Sequence, residues 1–294
     1  MTDAVVCKRE TSLDTLAPLA TSLGMFAAIP QELEDVQNHA DHRQVPLDQV
    51  GVSDLRYPIT VLDRTAESQR TVATITLSVG LPQDTKGTHM SRFIHVLERH
   101  RGEITVRTLP EMLRDLKTTL EAESARIEVY FPYFLERKAP ISGVSALVDY
   151  RCTFVGEMDG GDMDFVLGVD VPVTSLCPCS KAISDYGAHN QRGFVRIEIR
   201  STEIVWIEEL IGVAESSAST PIYALLKRED ERHLTMQAYD NPVFVEDMVR
   251  TAAVHLREDA RITWFKICAE NLESIHNHNA FAQVTWKRPQ EPTP

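Results

Sequence analysis

Ser175-Leu-Cys-Pro-Cys-Ser-Lys-Ala-Ile-Ser-Asp-Tyr-Gly-Ala-His-Asn-Gln-Arg192 gathers two thiols, a histidine and several cations on one short connection. Thiolate and imidazole on one loop are the donors of a zinc, iron or manganese site. Pro178 fixes φ between Cys177 and Cys179 and is expected to keep the backbone extended, so that the two thiols diverge and only one grips an ion. A buried, unreactive cysteine pair is the other reading of an isolated Cys-x-Cys.

Three more segments could join that chemistry. Lys86-Gly-Thr-His-Met-Ser-Arg92 links a strand to a helix, where backbone N–H groups can receive an anion; a Gly-containing loop with Ser91 as helix cap accounts for it equally. Asn271-Leu-Glu-Ser-Ile-His-Asn-His-Asn279 offers one imidazole to a metal and another to substrate, unless it is a solvated turn. Lys227-Arg-Glu-Asp-Glu-Arg-His-Leu234 reads as a solvated charge run. After it, Asp240 is a candidate cap for a helix starting near Pro242, with Glu246 in its first turns complementing the dipole.

These segments must be positioned by a sizeable core. The 294 residues are 43% hydrophobic and 25% charged, ordinary values for a globular protein. A net charge of −13 argues against broad nucleic-acid binding but leaves room for a local basic pocket that takes a phosphorylated small molecule. Five cysteines, at 7, 152, 177, 179 and 268, are too few and odd in number for a secreted disulfide framework, so a reducing cytoplasm is expected. The run from Leu16 to Pro30 is interrupted by Pro18 and preceded by acids, unlike a signal peptide, and nothing reaches the length of a membrane span.

Residues 1–53 show little periodicity and are expected to form an N-terminal arm. Strand-like alternation starts at Tyr57–Leu62 and Thr71–Val79. Helical stripes follow at Ser91–His100, with Phe93, Ile94 and Leu97, and at Leu109–Glu123, opened by Thr108 and Pro110. Alternation returns at Ile127–Phe131 and Ala146–Phe154. The order then repeats: Met158-Asp-Gly-Gly-Asp162 marks a hairpin, Phe165–Val173 and Val195–Ile199 are strands, Val205–Ala214 and Pro242–Leu256 helices, Ile262–Cys268 and Ala280–Trp286 strands. The expectation is an α+β chain with one ββααββ module over 54–157 and a second over 158–294, each an antiparallel sheet with a helix pair on one face. Open sheets leave edges to cover, so a homo-oligomer is expected.

Taken together, Thr174-Ser-Leu-Cys-Pro-Cys-Ser-Lys, Asp185-Tyr-Gly-Ala-His-Asn-Gln-Arg, Gly87-Thr-His-Met-Ser-Arg-Phe and Glu273-Ser-Ile-His-Asn-His strongly resemble the GTP cyclohydrolase IB family. The resemblance runs from the Asp35 segment almost to the C-terminus. It implies the tunnelling fold, two ββααββ modules per subunit in a homotetramer with active sites at subunit interfaces, and conversion of GTP and water to formate and 7,8-dihydroneopterin triphosphate on the way to folate. The metal ligands it implies are Cys177, His189, Glu231 and His276. The ion would be manganese or ferrous iron, with zinc an alternative.

By the same resemblance Glu246 anchors guanine, and one carboxylate can indeed accept from both N1–H and the exocyclic amine. The residues expected at the chemistry are Cys177, Glu246 and His189. His189 and His278 are proton-shuttle candidates, and Cys179 is expected beside the ligand set. Lys86, Arg92, Lys181 and Arg192 are the triphosphate candidates, with His39 and Arg43 as contributions from a neighbouring subunit. A metal would lower the pKa of a water delivered to C8. Two rival readings are an archaeal-type relative that releases a 2′,3′-cyclic phosphate, and a non-catalytic pterin- or nucleotide-binding module with a structural zinc.

Overall fold

The strand registers set Leu55, Ile75, Val129, Phe154, Leu167, Ile199, Phe265 and Trp286 opposite one another, each pairing with the next across a strand boundary. Side chains directly opposite in an antiparallel sheet share a face, so this row is one apolar stripe across the whole sheet. The neighbouring row, Thr74, Tyr130, Thr153, Gly168, Glu198, Lys266 and Thr285, lies on the other face and is mostly polar. Alternation with period two produces both rows, and it dictates which face the helices must cover.

The computed structural model describes residues 34–101 and 103–289. The described residues from 37 onward belong to one compact unit, and of the residues before it only 34–36 are described. The elements run β1 (Leu47–Asp63), β2 (Glu67–Leu81), α1 (Met90–Arg99), α2 (Leu109–Leu120), β3 (Ser124–Lys138), β4 (Ser145–Asp159), β5 (Asp162–Leu176), α3 (Pro178–Ile183), β6 (Asn190–Ser201), α4 (Ile207–Ser216), β7 (Thr220–Pro221), α5 (Arg228–Asp240), α6 (Val245–Glu258), β8 (Ile262–Asn271) and β9 (Ala280–Lys287). All pairings are antiparallel, in the order β1-β2-β3-β4-β5-β6-β8-β9, with the short β7 added to β5.

Here the fold expectation is corrected. In place of the two expected tandem modules with their own antiparallel sheets, the described residues form one continuous nine-stranded sheet. The physical reason lies in the hairpin at the expected boundary. Asp159 pairs with Asp162 around a two-residue turn in which Gly160 has φ +58°, and a turn that tight leaves the flanking strands no choice but to pair, from Met158–Met163 to Arg151–Asp170. Among the described residues the second half also carries four helices, α3 to α6, where a single pair is expected.

The helices close one face. Phe93, Val96 and Leu97 of α1, Met112, Leu113 and Leu116 of α2, and Met248, Ala252 and Leu256 of α6 are buried in one cluster with the sheet's apolar row. In α1, Val96 takes the buried place expected for Ile94, which is exposed. Three helices of the second half start alike: a carboxylate three residues in accepts the cap residue's N–H, from Trp206 to Glu209 at 2.9 Å, Lys227 to Asp230 at 2.9 Å and Phe244 to Asp247 at 3.0 Å. Thr108 and Pro110 open α2 as the sequence suggests. By contrast, the residue before α1 is His89 rather than Ser91, and Asp240 ends α5 instead of capping α6.

Of the arm expected over 1–53, residues 1–33, with Cys7 and the whole Leu16–Pro30 run, lie outside the described residues. The segment from Gln37 lies along the chain's own loop before α1: Lys86 N–H donates to His39 O (3.1 Å), Gly87 N–H to Gln37 O (3.2 Å) and Asp41 N–H to Asp84 O (2.8 Å). Among the described residues no helix is long and apolar enough to cross a membrane.

Candidate active site

β5 delivers Cys177 to the sheet's end, where the chain turns directly into α3 with Pro178 at its first position. The Cys-Pro-Cys unit is therefore a helix start, where an extended loop was expected. Cys177 Sγ caps the helix, accepting from Ser180 N–H at 3.3 Å, while Cys179 lies exposed on α3; the thiols diverge because one precedes the helix and the other belongs to it. Among the described residues the four cysteines are all free thiols.

His189 returns to the same place at the start of β6. Cys177 N–H donates to His189 O at 3.1 Å, and His189 N–H to Ser180 Oγ at 3.2 Å. Its Nδ1 lies 2.9 Å from Gln191 Oε1 and 3.4 Å from Ser274 Oγ, which fixes the plane of the ring. The loop after β8 is drawn in by Leu272 N–H donating to Arg192 O at 2.9 Å. It sets His276 with ring centroids 6.5 Å from His189 and 5.1 Å, stacked, from His278. Glu273, only 12% exposed, lies 3.6 Å from His276 Nδ1.

α6 is pinned to the same end: Val243 N–H donates to Leu176 O at 3.2 Å and Ser175 Oγ donates to Val243 O at 3.2 Å. Its first turn thereby brings Glu246 to a cavity of about 200 Å³ that Cys177, Ser175, Gln191, Asn271 and Glu273 also line. Two larger concavities, of about 480 and 970 Å³, are lined by none of the motif residues.

Not every expected residue converges here. Glu231 lies exposed on α5, away from the cavity lining, while its neighbour Asp230 is fully buried. Burial favours the protonated form of Asp230, yet hydrogen bonds from the Ser142 hydroxyl (2.6 Å) and from the N–H groups of Ser142, Lys227 and Ile141 (2.9 Å each) outweigh it and hold the carboxyl well below its usual range. Asp230 therefore fastens α5 to the turn after β3. Helical phase decides this: adjacent residues are 100° apart, and only one can face the core.

The cations divide. Lys181 Nζ donates to Tyr239 O and stands 4.2 Å over the Tyr239 ring, tying α3 to α5. Arg92 donates to Thr119 O at 3.3 Å between α1 and α2. Arg43 is engaged by Asp41 at 2.9 Å. Lys86 and Arg192 are exposed.

Thiol and imidazole suit a borderline divalent ion, and Cys177, His189 and His276 stand on adjoining segments. As they stand, however, no group of three His, Cys, Asp or Glu side chains among the described residues is close enough to hold an ion. The donor chemistry fits a metal, but the arrangement in one chain does not close around one.

Ser175, Gln191 and Asn271 lie outside the set of residues expected at the site. Each extends a strand's apolar stripe by one more same-face position, after Val173, before Gly193 and Val195, and after Ala269, and Ser175 pairs with Gln191 while Gly193 pairs with Asn271. A buried-face position held by a polar residue was the available signal.

A family model described as type I GTP cyclohydrolase folE2 matches residues 33–282, which include every one of these positions. The chain belongs to the type I GTP cyclohydrolase FolE2 family. It is 51% identical over 254 residues to GTP cyclohydrolase FolE2 of Syntrophotalea carbinolica, spanning 86% of this chain and 95% of that protein. Against GTP cyclohydrolase FolE2 of Magnetococcus marinus the identity is 52% over 252 residues, 86% and 95% of the two chains. Among solved structures it resembles a uricase from Bacillus fastidious (TM-score 0.52, 10% identity, 81% of this chain and 92% of that one) and a highly active mutant of Bacillus sp. TB-90 urate oxidase (TM-score 0.50, 10% identity, 82% and 99%). At that identity the likeness concerns fold alone. It gives this FolE2 family chain a uricase-like antiparallel architecture, in place of the tunnelling fold inferred from the motifs.

Proposed function

We propose that the chain hydrolyses GTP to formate and 7,8-dihydroneopterin triphosphate, the GTP cyclohydrolase I step of folate biosynthesis. The observation that carries the reading is membership of the FolE2 family across a match that contains the whole cavity region. Glu246 is the guanine anchor. Its place at the rim of a cavity of about 200 Å³ supports this, since such a volume suits a base rather than a whole nucleotide, below the ~300–1,000 Å³ of pockets that swallow larger ligands. Its two oxygens accept N1–H and one amino proton, a pair of donors that adenine lacks.

The triphosphate then extends outward. Arg192 and Lys86 are its partners, because both are exposed, whereas Lys181 and Arg92 are occupied within the chain. His189 and His278 remain the groups to carry protons during ring opening and formate release.

The finer part of the proposal is type IB character. It means metal dependence through Cys177, His189 and His276, with Glu231 as the fourth expected ligand, and a homotetramer with its sites at subunit interfaces. Manganese or ferrous iron, with zinc an alternative, would supply an acidified water at guanine C8. The ends of the sheet at β1 and β9, which pair with no further strand among the described residues, support assembly. A cytoplasmic setting fits the free thiols.

The test is incubation of metal-depleted protein with GTP and each divalent ion in turn, following formate and the fluorescence of oxidised neopterin. Formate release with any ion supports the reading, and none with any ion ends it. Cobalt substitution reads the ligand set independently, since a thiolate on Co²⁺ adds a charge-transfer band that Cys177→Ser abolishes.

A further inference from the structure

We propose that Asn271 is a specificity-determining residue whose Oδ1 accepts the guanine amino proton that Glu246 leaves free. The inference deepens the reading above and rests on it. Asn271 is the last residue of β8, lines the same cavity as Glu246, and is 3% exposed.

A chain of hydrogen bonds fixes which way its amide points. The carbonyl of Val243 can only accept, so the Ser175 hydroxyl donates to it at 3.2 Å. That leaves the Ser175 oxygen to accept from Asn271 Nδ2 at 3.1 Å, which turns Oδ1 the opposite way. Oδ1 is buried and has no hydrogen-bond partner among the described residues. Gly193, across the strand pair, makes room for it: a Cβ there would lie 2.5 Å from Oδ1.

A buried carbonyl without a donor is costly, and native proteins seldom keep one unless a ligand or water supplies the hydrogen. Guanine presents three N–H hydrogens along one edge, one on N1 and two on the exocyclic amine. A carboxylate accepts N1–H and the nearer amino hydrogen, and the remaining amino hydrogen needs a third acceptor from a residue of the cavity wall, such as Asn271. A neutral amide oxygen serves without adding a second charge beside Glu246. A base without the 2-amino group leaves Oδ1 orphaned, so the site discriminates against hypoxanthine by withholding that bond.

The contact is present in the bound state and the transition state alike, so it acts on KM and leaves kcat nearly alone. The experiment measures KM and kcat for formate release from GTP, and the inhibition constant of ITP against GTP, for the wild type, Asn271→Ala and Asn271→Ser. Asn271→Ala is expected to raise the KM for GTP about tenfold or more at little changed kcat, with ITP binding unmoved, so that the preference for GTP over ITP shrinks by the same factor. Asn271→Ser, whose hydroxyl can still accept, is expected to keep part of the preference, and it replaces the alanine variant if thermal melting finds that protein unfolded. Equal losses for GTP and ITP, or no loss for either, overturn the role and leave Oδ1 to a buried water. If the wild type itself releases no formate from GTP, the parent reading fails and this inference falls with it; an active wild type with equal losses refutes Asn271 alone.

Discussion

Cys177 and His189, twelve residues apart, are joined backbone to backbone by a 3.1 Å hydrogen bond from the cysteine N–H to the histidine carbonyl. Their separation is thus set by the end of the β5–β6 ladder, whatever binds their side chains. Ser180 doubles the tie, donating its N–H to the Cys177 sulfur and accepting the His189 N–H on its hydroxyl.

Replacing Ser180 with alanine removes that acceptor and leaves the His189 N–H short. Stability is expected to fall by about 1 kcal/mol. Affinity for a divalent ion is expected to fall about tenfold, as when a group orienting a ligand is lost. Urea unfolding and a Co²⁺ titration read the two effects, and an unchanged titration would remove Ser180 from the site's support.

Gly193→Ala tests the crowding between β6 and β8. The added carbon would meet Asn271 Oδ1 at 2.5 Å and the Glu270 carbonyl at 2.9 Å, and the second neighbour is backbone. A cost of about 1–3 kcal/mol is expected, with a raised KM for GTP. Wild-type melting and kinetics in this variant would show that the strands separate more easily than their register implies.

The exposed and occupied cations should separate by readout. Arg192→Met is expected to raise the KM for GTP severalfold or more, an effect weakened by added salt, with no change in melting temperature. Lys181→Met breaks the bond to Tyr239 O and the contact over its ring, so about 1 kcal/mol of stability is expected to go. If Lys181→Met raises KM at unchanged stability, the two assignments are reversed.

Asp230 gives a pH signature. Its carboxyl is held below its ordinary value of 3.8, so the stability it contributes is complete above that pH and is lost as pH falls through the lowered folded value. Asp230→Asn keeps the shape without the charge. Its unfolding midpoint is expected to lie below that of the wild type at neutral pH, with the gap closing only under about pH 4. A gap that stays constant from pH 7 to pH 3 would assign Asp230 a role of shape alone.

Much of the framework was legible residue by residue. The alternation Ala73, Ile75, Leu77, Val79 is the buried face of β2, and Met112, Leu113, Leu116 and Leu120 are the buried stripe of α2, because periodicity is a local property of the chain. The Gly160–Gly161 turn is legible too, and its consequence is tertiary: a two-residue hairpin at the expected module boundary forces β4 onto β5 and makes one sheet of two. Pro178, expected to hold a loop extended, begins a helix, a position where proline's fixed φ and missing N–H cost nothing.

Composition and motifs by themselves determined the donor types, the period of each element and the family resemblance, all of which reside in short stretches of chain. The tertiary structure alone decided which donors meet. Ser175, Gln191, Asn271 and Glu246 converge from β5, β6, β8 and α6 because strand register and helix docking join residues up to 96 positions apart. Glu231 turns outward while Asp230 turns in, because a helix can bury only one face, and which face is settled by what packs against it.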